Sequence, residues 1–432
     1  MGSCVARQPV FTKNLDIYGY KLLYQDDCRK NKEVPAKTED ISSDSHSSRT
    51  IIHSFHDLGI ARVTNNKRGF VRFTEKLLLD MVATILPPQI LVIELSEEIP
   101  HTPEIVTTCR KLRKNGYLIA IDSLHPQEEV LMPLLDAVDI INIELDREDH
   151  ETTREFALKL QKTFPQIQLL AKKLETPFEF ELAKKCHFKL FQGNFFCKPT
   201  VVKNKALLPA PRRRQMLQLI RLSLGSDIDY RAVSEIIKQD IALSYRLLRV
   251  VNSAFFGLSY TISNIRQALA ILGERELKKW VTLVSLSGLS ENKPTELITM
   301  SLIRARFLEL AAPDVGMADH ADDLFLLGLM SLMDAIMDTP MATIVKQTNI
   351  SPHIATPLLT RDGKFGNLLN LIACYEQSNW DQAQALAAHY AVSLERIFDI
   401  YLQALEWVQR MYVGPAYVRS QWLAASGRRV LR

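Results

Sequence analysis

In the first half of the chain, short apolar runs alternate with helical stretches, and nearly every run stops on a polar or charged residue. The runs cover residues 18–23, 70–73, 90–95, 118–122, 140–144, 168–172 and 190–196. Runs of four to seven residues separated by amphipathic segments predict parallel strands joined by helices, and hence a closed α/β barrel. Beyond about residue 215 the strand signals give way to helical spacing. Asp229 is placed to cap a helix with Val233, Ile236 and Ile237 on one face. Asp240 caps the next, which carries Leu243, Leu247, Leu248, Val250 and Val251 and ends near Gly257. Asn264 with Gln267 has capping-box spacing, and Gly273 sits where that helix should stop. Further helices are expected over residues 274–289, 296–312, 322–337, 354–359, 368–377, 380–389 and 394–411.

This pattern divides the chain into a barrel (1–205), a helical domain (206–412) and a basic tail (413–432). The seam at residues 198–215 combines Lys198-Pro199, the proline-rich 207–211 and the run Arg212-Arg213-Arg214. It reads as a stiff, solvated linker between halves that fold separately. Residues 31–48, rich in Lys, Glu, Ser and Asp, read as an exposed insertion loop.

Composition adds limits more than leads. At 432 residues, 47% hydrophobic and 24% charged, the chain has the makeup of a multidomain globular protein. A net charge of +4 gives no argument for a nucleic-acid partner. The six cysteines lack CxxC or metal-type spacing, which fits a reducing cytosol. No signal peptide and no apolar window of membrane-spanning length is visible, so a cytoplasmic location is expected.

In a β/α barrel, functional groups gather at the carboxyl ends of the strands. Here those ends keep the carboxylates Glu94, Asp122 and, just past its strand, Glu175, but they also carry the cations Lys21, Arg72 and Lys172. The order and spacing of Arg7-Gln8-Pro9, residues 19–23, 93–97 and 119–122, 171–176, Gln192-Gly193 and Lys198-Pro199 resemble the EAL family of cyclic di-GMP phosphodiesterases. That family has a modified TIM-type barrel and uses two metal ions. The resemblance implies that Lys21 takes the place of the first ligand, the glutamate of the name-giving motif. Arg72 stands at the asparagine ligand, while Glu94 is kept. Asp122 and Ser123 replace a pair of aspartates, and Asn142 and Glu144 replace a lysine and an aspartate. Lys172 replaces a glutamate, Glu175 and Gln192 are kept, and Gln25 stands at the phosphate-gripping arginine.

A lysine about 5 Å from a divalent ion costs roughly 6–7 kcal/mol at an effective dielectric near 20. Three such cations imply a degenerate EAL pocket that is no longer an enzyme, with Lys21, Arg72 and Lys172 paired to Glu94, Asp122 and Glu175. A metal-free anion pocket retaining weak cyclic di-GMP binding is the sharper alternative.

Residues 212–412 resemble the all-helical HDOD domain. The resemblance rests on Gln239-Asp240-Ile241-Ala242-Leu243, residues 251–256 with Asn252-Ser253, and residues 262–273 ending on Gly273. In the related HD phosphohydrolases an adjacent His-Asp dyad holds metal, whereas the matching stretch here, residues 328–334, has Ser331-Leu332. His320 and Asp322 read as a solvated helix start, and His56-Asp57 as a surface pair. Asn252-Ser253 is either a structural cap or part of a partner-facing surface. The stripe Phe325, Leu326, Leu329 and Met333 reads as core.

The architecture as a whole resembles the two-domain EAL–HDOD proteins of bacterial signalling. That implies a non-catalytic adaptor in cyclic di-GMP-linked control of motility and biofilm, needing no cofactor and acting through unidentified protein partners. A phosphodiesterase with a rearranged site and a metal-free cyclic di-GMP receptor are the alternatives.

Overall fold

The computed structural model describes residues 4–25, 60–95, 99, 102–122, 132–145, 150–197, 216, 218–219, 222, 228–252, 262, 264–289, 293–348 and 350–413. The predicted loop at residues 31–48, the His56-Asp57 pair, Ser123, the seam at residues 198–215, Ser253 and residues 414–432 lie outside these.

Eight strands close a barrel in chain order: β1 (Cys4–Thr12), β2 (Ile17–Gln25), β3 (Arg68–Phe73), β4 (Leu91–Leu95), β5 (Leu118–Ile121), β6 (Ile140–Glu144), β7 (Gln168–Leu174) and β8 (Leu190–Gly193). Neighbours from β2 through β8 run parallel, whereas β1 runs antiparallel to both β2 and β8. The sequence pattern found seven of these strands. It missed β1, because Arg7-Gln8-Pro9 interrupts its apolar alternation and suggests no strand.

The barrel helices are α1 (Ile60–Val63), α2 (Glu75–Leu79), α3 (Pro103–Lys114), α4 (Met132–Leu135), α5 (His150–Thr163) and α6 (Pro177–Lys185). Threonines start three of them. Thr74, Thr102 and Thr176 each accept a hydrogen bond from the backbone N–H three residues on, and Glu179 completes a capping box with Thr176.

Strand periodicity builds the barrel interior in layers. Val10, Phe70, Val92, Ala120, Ile140, Leu170 and Leu190 form one apolar cluster inside the barrel. Two residues further toward the open end, each strand presents a polar side chain to the same interior: Gln8, Lys21, Arg72, Glu94, Asp122, Asn142, Lys172 and Gln192. The dry layer is a floor, and the polar layer stands on it.

The second half is helical: α7 (Tyr230–Lys238), α8 (Ile241–Val251), α9 (Ile265–Leu289), α10 (Thr295–Ala311), α11 (Ala321–Met330), α12 (Met333–Met337), α13 (Met341–Thr348), α14 (Pro352–Thr360), α15 (Gly363–Glu376), α16 (Trp380–His389) and α17 (Leu394–Val413). Asp229 accepts from two N–H groups at the start of α7, and Asp240 accepts from Leu243 N at 3.1 Å to start α8. Gly273 breaks α9 with φ 72° and ψ 167°, a left-handed φ that glycine tolerates without a Cβ penalty. The long helix expected over residues 322–337 is two helices, α11 and α12, and α13 was not anticipated. Gly328 lets α11 approach α10 closely, since a Cβ there would lie 2.5 Å from the Arg304 carbonyl. Phe325, Leu326, Leu329 and Met333 are buried, as expected of core.

The halves meet through buried polar contacts as well as apolar ones. Tyr375 on α15 donates to the carbonyl of Val5 on β1 at 2.9 Å, and Tyr20 on β2 donates to Glu296 on α10 at 2.9 Å. Arg7, Tyr20, Glu296 and Tyr375 are all buried. A barrel deprived of the helical half would have to hydrate Arg7, Tyr20 and the apolar surface around them. Residues 1–205 expressed alone are therefore expected to melt well below the full chain in circular dichroism. A fragment melting at the temperature of the full chain would show that these contacts add nothing to barrel stability.

Candidate functional site at the open end of the barrel

The polar layer is a compact charge network. Lys21 Nζ lies 3.0 Å from Asp122 Oδ2, to which it donates a hydrogen bond. It is also 3.0 Å from Glu94 Oε2, at ion-pair distance but off the hydrogen-bond direction. Lys172 Nζ donates to the other oxygen of the same aspartate, Asp122 Oδ1, at 3.0 Å. Asn142 Nδ2 donates to Glu94 Oε1 at 2.7 Å and reaches Asp122 Oδ1 at 3.4 Å. Two ammonium groups and two carboxylates thus balance, and the pairs are nearly withdrawn from water. Glu94 is 1% exposed in its side chain and Asp122 14%.

The electrostatics follow from that geometry. Burial pushes the Asp122 carboxyl up, but the ammonium groups of Lys21 and Lys172 outweigh it and hold its pKa down to about 2. Burial also pushes Glu94 up, and there it wins over the pull of Lys21, because desolvation is nearly complete. Burial pulls Lys21 down, yet Glu94 and Asp122 together raise its pKa, so it stays charged.

The expected pairing is corrected in two respects. Arg72 stays out of the network: it is exposed and makes no ion pair with a described residue. Glu175 is exposed beyond β7, where its own N–H donates to Glu179 Oε2 at 2.6 Å. Glu144 sits above Asn142 on β6 and pairs with Lys173, not Lys172, at 2.8 Å. Gln192 Nε2 donates to Gln8 Oε1 at 2.8 Å across the β1–β8 seam. Gln8 belongs to the layer but was read from sequence only as part of the Arg7-Gln8-Pro9 motif and not as a site residue, because its strand was not recognised. Gln25 closes β2. Asn142 Oδ1 is buried with no donor among the described residues.

These residues do not fit a two-metal centre. Such a centre needs carboxylate oxygens free to bind cations. Each of the four oxygens of Glu94 and Asp122 already faces an ammonium or amide N–H, and Lys21 Nζ stands between the two carboxylates. Among the described residues, no three His, Cys, Asp or Glu side chains converge to hold a metal ion.

The helical half shows a parallel arrangement. At its Ser331-Leu332 position, Ser331 Oγ donates to the carbonyl of Gly328 at 2.6 Å and accepts from Arg304 Nη1 at 3.2 Å. Arg304 is buried on α10 and forks onto Glu376 of α15, with Nε at 3.0 and 3.1 Å and Nη2 at 2.6 Å. His320 does not meet Asp322, which is exposed. It contacts Asp323 at 3.3 Å, as does His353 at 3.2 Å. Asn252 is a structural clamp: its Nδ2 donates to Ile262 O and its Oδ1 accepts from Ile262 N, both at 2.7 Å, tying the end of α8 to the segment before α9. Among the described residues, no helix is long and apolar enough to cross a membrane.

Comparison with known proteins adds what geometry cannot. Residues 210–346 match the HDOD domain. The chain is 32% identical to cyclic di-GMP phosphodiesterase CdgJ of Vibrio cholerae, over 94% of this chain and 92% of that one. It is likewise 32% identical to the uncharacterized protein YuxH of Bacillus subtilis, over 94% of this chain and 98% of that one. Among solved structures, the cyclic di-GMP complex of the PaMucR phosphodiesterase matches at 14% identity with a TM-score of 0.37, covering 45% of this chain and 96% of that one. The expectation of a degenerate barrel without enzymatic activity is overturned. A relative similar along nearly the whole chain is itself named a phosphodiesterase. The step that failed was the passage from missing metal ligands to missing catalysis.

Two stability predictions arise from these contacts. A carboxyl held below its ordinary pKa, near 3.9, stabilises the fold above that value and loses the effect as pH falls through its folded pKa. Asp122→Asn should cost about 3–5 kcal/mol at neutral pH by stranding the Lys172 ammonium and leaving Lys21 with Glu94 alone. The gap to wild type should then shrink by about 2 kcal/mol as pH falls from 4 toward 2, read from urea unfolding at each pH. A gap independent of pH would mean that Asp122 is not held anionic. Asn252→Ala should cost about 1–3 kcal/mol, because the Ile262 N–H and carbonyl lose their partners together. Unfolding midpoints equal to wild type would refute the clamp.

Proposed function

The chain belongs to the EAL–HDOD family of bacterial signalling proteins, and from that membership we propose that it acts on cyclic di-GMP as a phosphodiesterase with a rearranged site. The observation that carries this reading is the end-to-end similarity to CdgJ, 32% identical over 94% of the chain. The barrel supports it with one exposed cation, Arg72, beside the charge-balanced network. Lys21 and Lys172 stand in the polar layer, and Arg72 is exposed on the strand between Lys21 and Glu94. Positioned cations stabilise the charge that builds on a phosphoryl group during cleavage. Water attacks phosphorus, the P–O bond to one ribose oxygen breaks, and the product is the linear dinucleotide. Because the donor set does not suit divalent ions, no step is assigned to a metal.

The setting we propose is cytoplasmic control of motility and biofilm. The boundary between the halves falls near residue 205, and the helical half supplies a docking surface for a protein partner. A second reading, a metal-free cyclic di-GMP receptor, is favoured by one observation: Arg72 is exposed and makes no ion pair with a described residue, which leaves its guanidinium to meet a phosphodiester.

The test is linear-dinucleotide release by the full chain with magnesium, with manganese and with chelator, alongside calorimetry of nucleotide binding. Turnover that survives chelator and falls at least about tenfold in Lys172→Met is the expected result, since a lost charge-assisted contact is worth 1.4 kcal/mol or more. Saturable binding without turnover under any condition would move the assignment to the receptor. Turnover that requires metal and vanishes in Glu94→Ala would overturn the metal-free arrangement.

A further inference from the structure

Successive side chains on a strand leave it in opposite directions. On β2 this sends Lys21 into the polar layer of the barrel and Tyr20 outward into the helical half. Tyr20 is held from two sides. Its hydroxyl donates to Glu296 Oε2 on α10 at 2.9 Å, and the Arg7 guanidinium lies 4.2 Å from its ring centre. Arg7 in turn donates to the carbonyl of Val63 at 2.8 Å and reaches Glu296 Oε1 at 3.4 Å. Burial pushes the Glu296 carboxyl up while Arg7 and the Tyr20 hydroxyl pull it back, so this acid depends on both partners.

The backbone holds β2 unevenly: its ladder with β1 runs from Cys4↔Gln25 to Phe11↔Ile17, whereas its ladder with β3 is short. The residue facing Tyr20 on β1 is Pro9, which has no N–H to give to the ladder. On the other side, β2 is in register with β3 only over Gly19, Tyr20 and Lys21. On the β3 side, the Tyr20–Glu296 anchor adds to that short ladder. Lys21 makes its contacts to Glu94 and Asp122 at 3.0 Å each. A slip of β2 by about 1 Å along the barrel axis would carry the ammonium beyond hydrogen-bond distance of one of them.

We propose that Glu296 is a positioning residue for the barrel site. Acting through Tyr20, it sets the height of Lys21 in the polar layer, so the site is complete only with the helical half docked. The ligand consequence rests on the phosphodiesterase or receptor reading above. The positioning does not.

The experiment uses the full chain and two conservative variants, Tyr20→Phe and Glu296→Gln. Reductive methylation with formaldehyde and cyanoborohydride, followed by peptide mass spectrometry, reads the reactivity of each lysine. Lys172, ion-paired to the same Asp122 from β7, is the internal control. Lys21 should be methylated roughly tenfold faster in both variants, the factor expected for a hydrogen bond to a charged group, with Lys172 unchanged. An equal rise at both lysines would mean general loosening and would overturn the proposal, as would no rise at either. If Glu296→Gln does not fold, Tyr20→Phe, which removes one hydroxyl, still decides. Calorimetry with cyclic di-GMP on the same samples should show weaker binding in proportion to Lys21 exposure. Failure of the wild type to bind nucleotide would count against the proposed function alone, because the methylation pattern is measured without nucleotide.

Discussion

Everything at the open end of the barrel depends on one ammonium group held between two carboxylates. Lys21 lies 3.0 Å from both Glu94 and Asp122. Remove its charge and Glu94, already pushed up by burial, loses its main counter-ion. Asp122 would retain Lys172 but share it with no one, and Asn142 would be left bridging carboxylates that repel each other. Breaking one partner of a buried pair costs far more than the pair's net worth. The dry floor beneath keeps water from screening them.

A second arrangement of the same kind lies in the helical half. Arg304 is buried against Glu376 and Ser331. In each half a buried side-chain cation is fixed by carboxylate, Lys21 by Glu94 and Asp122 and Arg304 by Glu376. A resident cation has a structural consequence that a metal lacks. It is tethered to a backbone element, so its position is set by packing and not by free-ion concentration. Lys21 inherits the position of β2, and Arg304 that of α10. Glu296 and Arg304 both lie on α10, which makes that helix the element that touches both centres.

Much of this was legible in the sequence. Seven strands, the caps Asp229 and Asp240, the break at Gly273 and the burial of Phe325 and Leu329 follow from period, capping chemistry and turn chemistry, which are local. The membership of Lys21, Glu94, Asp122, Asn142, Lys172 and Gln192 in one layer follows from strand ends in a barrel. The pairing within that layer was not legible, because which of three cations meets which of three acids depends on side-chain reach. Arg72 and Glu175 were wrongly included for that reason. The contact of Tyr20 and Arg7 with Glu296 was missed, since residues some 276 positions apart carry no shared local signal. Enzymatic capacity was misjudged for a different reason. The ligand list describes how one chemistry is done, and absence of that list says nothing about chemistry done with other charges.

The layer also explains why a single substitution cannot turn this site into a metal centre. Lys21→Glu would restore one acid and place three carboxylates together with only Lys172 to balance them, while Asn142 offers one amide. Their mutual repulsion would raise their pKa values and protonate at least one, so the new site would not present three anions to a metal near neutral pH. Arg72 would still stand between β2 and β4, one strand from Glu94. Each change in the layer therefore shifts the charge state of its neighbours, and the residues act as a set. Lys172 would still occupy Asp122, so the conversion requires more than the change at position 21. Because β2 is held by Tyr20 and Glu296, it also requires the new side chain at position 21 to reach the metal from a height fixed by the helical half.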